Sequence, residues 1–318
     1  MALTRKKALL FYYTQSGQLK KILDAVCDPL SDEFDFVYAE LKPVPAYPFP
    51  WPGMDFFQAF PESVMGIPCT LEPLAIDPDE NFDLVILAYQ SWYLSPSIPI
   101  TSFLKSEASA LLKGKPVITI IGCRNMWIMA QEEVKKHILH AGGRLVGNIV
   151  MTDRHHNLVS VITIMRWLMK GRKKGRGFWG RIFPEAGVSE KDITEAGRFA
   201  APIREAFHEG SPDTLQEALL GEGAVRISPV LLTIEKRGLM MFRIWARFIL
   251  RKGPAGDPKR NCRLKWFRAY LLTVIYLVSA PAGIIVWLVH RINARKTRET
   301  VYRYERNELV TNSKNRHS

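Results

Sequence analysis

The stretch LLFYYTQSGQLKK, residues 9–21, contains the transition that decides the fold. It closes an apolar run, Lys7–Tyr13, which is typical of a parallel strand buried on both faces. The run ends in a polar loop, Thr14 to Gln18, and residues Gln18–Val26 then have helical spacing. The stretch therefore predicts a strand, a short polar loop and a helix, in that order.

The rest of the first half repeats this unit. Alternating or continuous apolar runs predict four more strands, at Phe34–Leu41, Asp83–Ala88, Lys115–Gly122 and Arg144–Thr152. Helical patterns follow the third strand, at Ile98–Leu112, and the fourth strand, up to about His140. Strands that alternate with helices predict an α/β fold, a doubly wound parallel sheet.

In such sheets ligands bind at the carboxyl ends of the strands, where the strand order reverses. The loops after strands one, three and four are therefore the candidate binding site. All three are rich in polar or aromatic residues: Thr14, Gln15, Ser16, Gly17 and Gln18; then Gln90, Ser91, Trp92 and Tyr93; then Cys123, Arg124, Asn125 and Trp127.

The first loop suits a phosphate. A helix N-terminus offers unpaired N–H groups and the positive end of the helix dipole. Thr14 and Ser16 add hydroxyls, and Gly17 lets the backbone curve around the oxygens. The loop has no Walker A lysine and no GxGxxG, which argues against a nucleoside triphosphate or a dinucleotide. An ordinary helix cap is the alternative interpretation.

These residues resemble the flavodoxin phosphate loop, which holds the phosphate of FMN without a cationic side chain. The resemblance covers about residues 6 to 157 and implies five parallel strands in the order 2-1-3-4-5, with FMN as cofactor. It implies that Gln90 to Tyr93 form the loop whose aromatic residue packs on the flavin, and that Gly122 to Trp127 form the third contacting loop. Leu19 departs from the pattern, because flavodoxins often have a threonine there, and one phosphate hydroxyl is missing.

A narrower resemblance rests on YYTQSGQL, CRNMWIMAQE and DRHHNLVSVITI. They are similar to the flavodoxin-like protein of dialkylresorcinol and aryl-polyene biosynthesis, often labelled a condensing enzyme. That resemblance implies aromatisation of a 2,5-dialkylcyclohexane-1,3-dione to a dialkylresorcinol, beside a ketosynthase-like partner.

For this reaction His155 or His156 is the candidate base, and Arg124 the candidate group for an enolate or flavin oxygen. The alternatives are two surface histidines and a salt-bridging arginine. Asp153 and Arg154 are expected to pair with each other. Trp127 fits a packed core position better than a stacking one, and Cys123 fits an apolar filler better than a nucleophile.

Residues 42–80 form an insertion rich in proline and aromatic residues, which predicts either an apolar cover for a two-chain substrate or a segment packed on the sheet edge. The four cysteines, Cys27, Cys69, Cys123 and Cys262, lack the spacing of a metal site. A reduced, cytosolic compartment is expected, with no metal.

Charge divides the chain. Residues 1–150 hold 13 Lys and Arg against 16 Asp and Glu, whereas residues 151–318 hold 31 against 15. The basic second half predicts an anionic partner, either a membrane or a nucleic acid. Basic stretches at 159–183 and 230–252 are interleaved with Ile, Leu, Met and Trp, which favours interfacial helices over nucleic-acid binding.

The uncharged segment Ala269–Val289 has basic residues on both sides and Pro281 and Gly283 near its middle. Its length suits either a kinked span or a shallow hairpin. We therefore expect a flavodoxin-like domain at 1–157, a basic helical extension at 158–259 and a membrane segment with a tail at 260–318, held at the cytoplasmic face of the inner membrane.

Three functions follow from these observations. The first is an FMN-dependent oxidoreductase that aromatises a lipophilic dione. The second is a membrane-tethered electron carrier or quinone reductase. The third is a membrane scaffold that keeps the fold without flavin.

Overall fold

A computed structural model describes residues 5–77, 80–175 and 177–308. Its nine strands are β1 Lys6–Tyr12, β2 Phe34–Glu40, β3 Pro43–Val44, β4 Thr70–Leu71, β5 Leu84–Tyr89, β6 Ser91–Trp92, β7 Ser95–Pro96, β8 Pro116–Cys123 and β9 Arg144–Thr152. The helices up to residue 182 are α1 Gln18–Cys27, α2 Asp55–Gln58, α3 Phe60–Met65, α4 Ile98–Leu104, α5 Ile128–His140, α6 Asn157–Lys170 and α7 Phe178–Ile182. The later ones are α8 Glu190–Thr194, α9 Ala200–His208, α10 Leu215–Gly221, α11 Pro229–Leu250, α12 Asn261–Thr273, α13 Ser279–Ile292 and α14 Ala294–Glu305.

The main sheet has five parallel strands in the order β2-β1-β5-β8-β9. Counted along the chain, this is the order 2-1-3-4-5, so the predicted α/β doubly wound fold is confirmed. The predicted strand bounds agree with the structure to within one residue at each end. The apolar runs locate the strands so closely because β1, β5 and most of β8 are buried on both faces.

One predicted helix is wrong. Residues 98–112 form α4 and then a separate 3-10 helix, Glu107–Leu112, rather than a single helix. The break falls at Ser106, whose backbone is extended at φ −89° and ψ 167°. The Ser106 hydroxyl donates to the Phe103 carbonyl, a local bond that competes with helix continuation.

Helices cover both faces of the sheet. On one side α1 buries Leu19, Ile22, Leu23 and Val26, which share one helical face, and α8, α9 and α10 complete that layer. α4, α5 and α11 form the layer on the other side. The sheet is thus enclosed, as an all-parallel sheet requires.

The hydrophobic core does not end at residue 157. Phe207 of α9 packs edge to face on Phe34, and α10 lies directly on β9. A side chain at Gly147 would bring a Cβ to within 2.9 Å of Leu219, so glycine permits this close approach. The segment expected to be an extension therefore supplies part of the core of the predicted first domain.

The insertion is held by the C-terminal helices. Phe60 of α3 stacks on Phe267 of α12 with ring centroids 3.6 Å apart. The buried Arg260 guanidinium donates to both Glu62 carboxylate oxygens, at 2.7 and 3.0 Å. Helices α2 and α3 of the insertion are thus fixed between the β6–β7 hairpin and α11–α12.

Within the described residues, no individual helix has both the length and the apolar character needed to cross a membrane. The segments Pro258–Val278 and Pro281–Ile292, which meet at a 57° bend, satisfy that criterion together on length and composition.

Candidate functional site

The loops after β1, β5 and β8 converge on one cavity of about 210 Å³. Its wall takes Gln15, Ser16 and Gln18 from the first loop, Gln90, Ser91, Trp92 and Tyr93 from the second, and Cys123 and Arg124 from the third. Of the other residues predicted for the site, Thr14, Gly17, Asn125 and Trp127 do not line it. The parallel sheet brings these distant segments together because its strand ends share one edge.

The first loop presents unpaired backbone donors. Gly17 precedes α1 in the left-handed region, at φ 80°, and a Cβ placed there would meet open space. The N–H groups of Gln15 to Gln18 donate to no acceptor in the described part of the chain. The buried Thr14 Oγ1 is likewise unpartnered there. Unpaired donors beside a helix N-terminus suit an anion.

Gln18 has a structural task. Its Nε2 donates to the Val188 carbonyl at 2.9 Å, and the Val188 N–H donates to its Oε1 at 3.1 Å. The neighbouring Gly187 has φ 84°, and a Cβ there would lie 2.6 Å from that Oε1. The Gln18 amide therefore ties the segment after α7 to the start of α1, and its backbone N–H is what remains for a ligand.

Leu19, which stands where flavodoxins often have threonine, is a core residue. It is 1% exposed, and its Cδ1 would lie 3.0 Å from a Cβ at Gly122. The leucine fills the space between α1 and the end of β8, and it also lines the cavity.

Aromatic residues of the insertion close the cavity on one side. Trp92 makes edge contacts with Trp51 and Tyr47, with centroids 5.7 and 5.2 Å apart. Gln15 links this cluster to the first loop, because its Nε2 donates to the Pro48 carbonyl at 2.8 Å. Trp51 and Phe56 both line the cavity. The insertion is thus both packed on the sheet edge and part of the cavity wall.

The second loop is a tight hairpin between β6 and β7. Tyr93 and Leu94 lie at φ 50° and 64°, which is unusual for bulky residues. The Tyr93 hydroxyl donates to the Phe56 carbonyl at 2.6 Å and so fixes the turn. The buried Gln90 Oε1 has no partner among the described residues and is free to accept a hydrogen bond.

The third loop carries a half-buried cation. Arg124 Nη1 donates to Asn157 Oδ1 at 2.5 Å, and Asn125 Nδ2 donates to the same oxygen at 2.8 Å. Burial lowers the pKa of Arg124 to about 10, opposed by the nearby Asp153 carboxylate, so the guanidinium stays charged at neutral pH. Burial also raises the pKa of the Cys123 thiol, which keeps it protonated and agrees with the apolar-filler interpretation.

Trp127 is 2% exposed and part of the core, as the sequence favours. Beside it lies a residue that sequence reasoning missed. Glu235, on α11 and 0% exposed, accepts the Met129 N–H at 2.7 Å. Burial raises the pKa of Glu235 to about 7, against the opposing effect of the Met129, Ile128 and Trp127 N–H groups. One feature of the sequence could have indicated Glu235, because it is the single acidic residue of α11.

The two histidines lie away from the cavity. Both are exposed, and the His155 ring Nδ1 is 2.7 Å from Asp153 Oδ1. The predicted pairing of Asp153 with Arg154 is wrong, because Arg154 binds Asp192 at 3.0 Å. Asp153 is buried and accepts a hydrogen bond from the Ser160 hydroxyl at 2.7 Å. The side chains of Asp153 and Arg154 therefore have different partners.

Helix α6 closes the remaining side. Ile164, Trp167 and Leu168 line the cavity, and the Leu168 carbonyl accepts the Trp51 N–H at 2.8 Å. Sequence reasoning missed these residues as site residues, although it noted the apolar and aromatic character of this stretch.

No protein-family model matches this chain, and a search of curated proteins finds no match either. Among solved structures, a flavoprotein in complex with FMN from Lactobacillus acidophilus is 18% identical, with 46% of this chain and 93% of that chain covered and a TM-score of 0.37. A flavodoxin, WrbA-like protein from Agrobacterium tumefaciens is 11% identical, with 63% and 98% covered and a TM-score of 0.33. The Trp repressor binding protein of Bacillus subtilis is 11% identical, with 52% and 99% covered and a TM-score of 0.29. The strand order of this chain is established by the hydrogen-bonded pairing of its own strands, and not by these comparisons.

Proposed function

We propose that the cavity binds FMN and that the protein is a flavin-dependent oxidoreductase for a lipophilic substrate. The observation that carries the proposal is the convergence of the three loops on one cavity whose wall contains unpaired donors at the start of α1. The chemistry of this donor set suits a phosphate at one end and a flat aromatic group beside Trp92.

Several residues would hold the cofactor. The N–H groups of Gln15, Ser16 and Gln18 and the Ser16 hydroxyl, all from residues that line the cavity, would be the phosphate donors. Gln90 and Ser91 offer polar atoms for the ring edge, and Trp92 offers an aromatic face. FMN, when bound, supplies the two-electron redox chemistry, and the protein supplies binding and orientation.

The size of the cavity makes a further demand. At about 210 Å³ it is below the range of roughly 300–1,000 Å³ that is usual for pockets of drug-sized ligands. Part of a tricyclic ring would therefore extend out of the cavity or displace the wall formed by Trp51, Phe56 and Trp92, and we expect tryptophan fluorescence to change when FMN is added.

The proposed substrate, which the sequence resemblance implies, is a 2,5-dialkylcyclohexane-1,3-dione. Its conversion to a resorcinol removes two electrons and two protons. Arg124, charged and at the cavity wall, suits an enolate oxygen of the dione. Ile164, Leu168 and Phe56 give apolar surface for alkyl chains. A ketosynthase-like enzyme that joins two acyl units is the proposed source of the dione.

A second candidate, an electron carrier or quinone reductase, is favoured by the absence of an evident base. Histidine and carboxylate side chains do not occur among the described residues that line the cavity. Desolvation by the surrounding wall raises the pKa of the Cys123 thiol and the pKa of the Tyr93 phenol there. Electron transfer needs no such base, whereas aromatisation must release its protons to solvent or to a group outside the wall.

The decisive experiment uses the full chain reconstituted with FMN under anaerobic conditions. The proposal predicts that the dione bleaches the flavin absorbance and that one resorcinol forms per flavin reduced, measured by mass spectrometry. Arg124→Gln should slow bleaching at least tenfold, whereas Arg154→Gln, outside the cavity, should not.

The other outcomes separate the alternatives. Flavin that binds but is reduced only by a general electron donor or re-oxidised by a quinone supports the carrier. A protein that neither retains FMN nor changes its tryptophan fluorescence when FMN is added contradicts the proposal and leaves the scaffold interpretation.

A further inference from the structure

Large apolar side chains are exposed in two neighbouring groups, at residues 276–278 and at residues 284–292. We define the outer surface as the exposed residues of the π-helical segment Val274–Val278 and of α13. Exposed fractions there reach 71% for Leu277, 63% for Ile285, 49% for Leu288 and 82% for Ile292. Single exposed apolar residues are ordinary, but a contiguous patch marks an interaction surface.

The inner side of the same helices is firmly packed. Leu264 and Phe267 of α12 are fully buried in a cluster with the second half of α11. Val286 of α13 is 6% exposed, and the His290 ring lies 2.9 Å from Thr233 near the start of α11. The segments Pro258–Val278 and Pro281–Ile292 therefore pack along α11 through one side, and their other side is exposed.

This arrangement suits an element that lies in a membrane interface rather than one that crosses it. A crossing helix would have to leave α11 and expose Leu264 and Phe267. An interfacial helix directs one face toward the protein or the water, and it buries its apolar face at the boundary between headgroups and acyl chains.

Cations stand at both ends of the outer surface. Lys265 and Arg268 precede it, Lys296 and Arg298 follow it, and all four are exposed. None of the four forms an ion pair with a carboxylate of the described residues. Free cations around an apolar surface are complementary to anionic headgroups. A second copy of the chain would instead bring the same cations together across a twofold axis.

We propose that the outer surface docks flat on an anionic phospholipid bilayer and holds the cavity at the headgroup level. Tyr270 and Leu271, near the end of α12, pack in the same cluster as Phe56 and Tyr93, and those two residues line the cavity. Docking by itself does not require flavin. The consequence that a lipophilic substrate reaches the cavity from the bilayer rests on the proposed function.

The test uses the full-length protein and sedimentation with vesicles. Vesicles of phosphatidylcholine with phosphatidylglycerol should bind it at least tenfold more tightly than vesicles of phosphatidylcholine alone. The double variant Ile285→Glu, Leu288→Glu should lose at least tenfold in affinity for the anionic vesicles. The matched control is Leu139→Glu, at a residue of α5 that is 39% exposed, and its binding should be unchanged.

The charges are tested separately. Lys265→Glu with Lys296→Glu should weaken binding to anionic vesicles several-fold and flatten its salt dependence. Lys42→Glu with Lys113→Glu, at two exposed residues outside the outer surface, is the control with the same change in net charge. Vesicles with brominated acyl chains should quench the fluorescence of Trp287, which is 48% exposed, and Trp287→Phe should remove most of that quenching.

Three results would overturn the proposal. The first is equal binding to both kinds of vesicle. The second is binding to anionic vesicles that survives the double variant. The third is a wild-type dimer that the double variant converts to a monomer while no vesicle binds, which would assign the surface to a second copy. FMN content, measured by absorbance in the same samples, keeps a failure of docking distinct from a failure of flavin binding.

Discussion

The cavity and the outer surface are built from the same kinds of residue but use them in opposite ways. Trp51 is 4% exposed because the insertion, the β6–β7 hairpin and α6 enclose it. Trp287 is 48% exposed because α13 rests on the protein through one side only. The first region completes its burial by folding, whereas the second has apolar surface left over. The difference indicates that only the second region needs a partner to bury its side chains.

The contrast between buried and exposed apolar residues is tested most strongly by two leucine truncations, one on the packed inner side of α12 and one on the outer surface. Leu264→Ala removes a fully buried side chain and should cost about 2–5 kcal/mol in the free energy of unfolding, from lost burial and the cavity left behind. Leu288→Ala, at a residue 49% exposed, should change it by no more than about 0.5 kcal/mol. Urea denaturation of both variants without lipid is the measurement. Equal losses would mean that the outer surface is part of the core.

Glu235 ties α11 to the start of α5, directly after the loop that carries Arg124. Its pKa is raised to about 7 in the folded state, so the folded protein holds this proton more tightly than the unfolded chain does. The contribution of Glu235 to stability is therefore greatest below its unfolded pKa and is lost as pH rises toward 7. The full loss is about 3 kcal/mol.

The Glu235→Gln variant keeps an acceptor for the Met129 N–H and cannot titrate. Relative to this variant, wild type should become progressively less stable between pH 4.5 and 7.5, as followed by urea denaturation at each pH. Glu299→Gln, an exposed carboxylate, should show no such divergence. Parallel curves for wild type and Glu235→Gln would mean that the buried carboxyl does not take up a proton in this range.

Among these predicted losses of stability, the smallest change in the free energy of unfolding is expected for Gln18→Ala, which tests the tie between α1 and the segment at Val188. It removes both bonds to Val188 and leaves a buried N–H and carbonyl unpaired, which should cost about 1–3 kcal/mol. Hydrogen exchange at Val188 should quicken, whereas the core of β5 should stay protected. Gln15→Ala, which removes a hydrogen bond that is exposed, is the comparison variant. If exchange at Val188 were equally fast in Gln15→Ala, the protection of Val188 would not depend specifically on Gln18.

Much of the candidate site could be located from the sequence because its loops directly follow strands with recognisable apolar runs. The loops at Thr14 to Gln18, Gln90 to Tyr93 and Cys123 to Arg124 follow strands whose apolar runs are easy to recognise. The expectation for His155 and His156 rested on their position after β9, and that position says which edge they occupy but not which way they face. Both rings are exposed, whereas the neighbouring Asp153 is buried.

The sequence by itself determined the five strands, their order through the motif they resemble, the edge at which their loops meet, and the apolar basic character of the C-terminal end. These follow from periodicity and from residues adjacent along the chain. Tertiary structure alone decided that Gln18 binds Val188, that Trp51 and Trp167 wall the cavity, that Glu235 meets Met129, and that α13 rests on α11 through one side. Each of these pairs is separated by tens to hundreds of residues, so its contact depends on how complete layers pack, which no local pattern records.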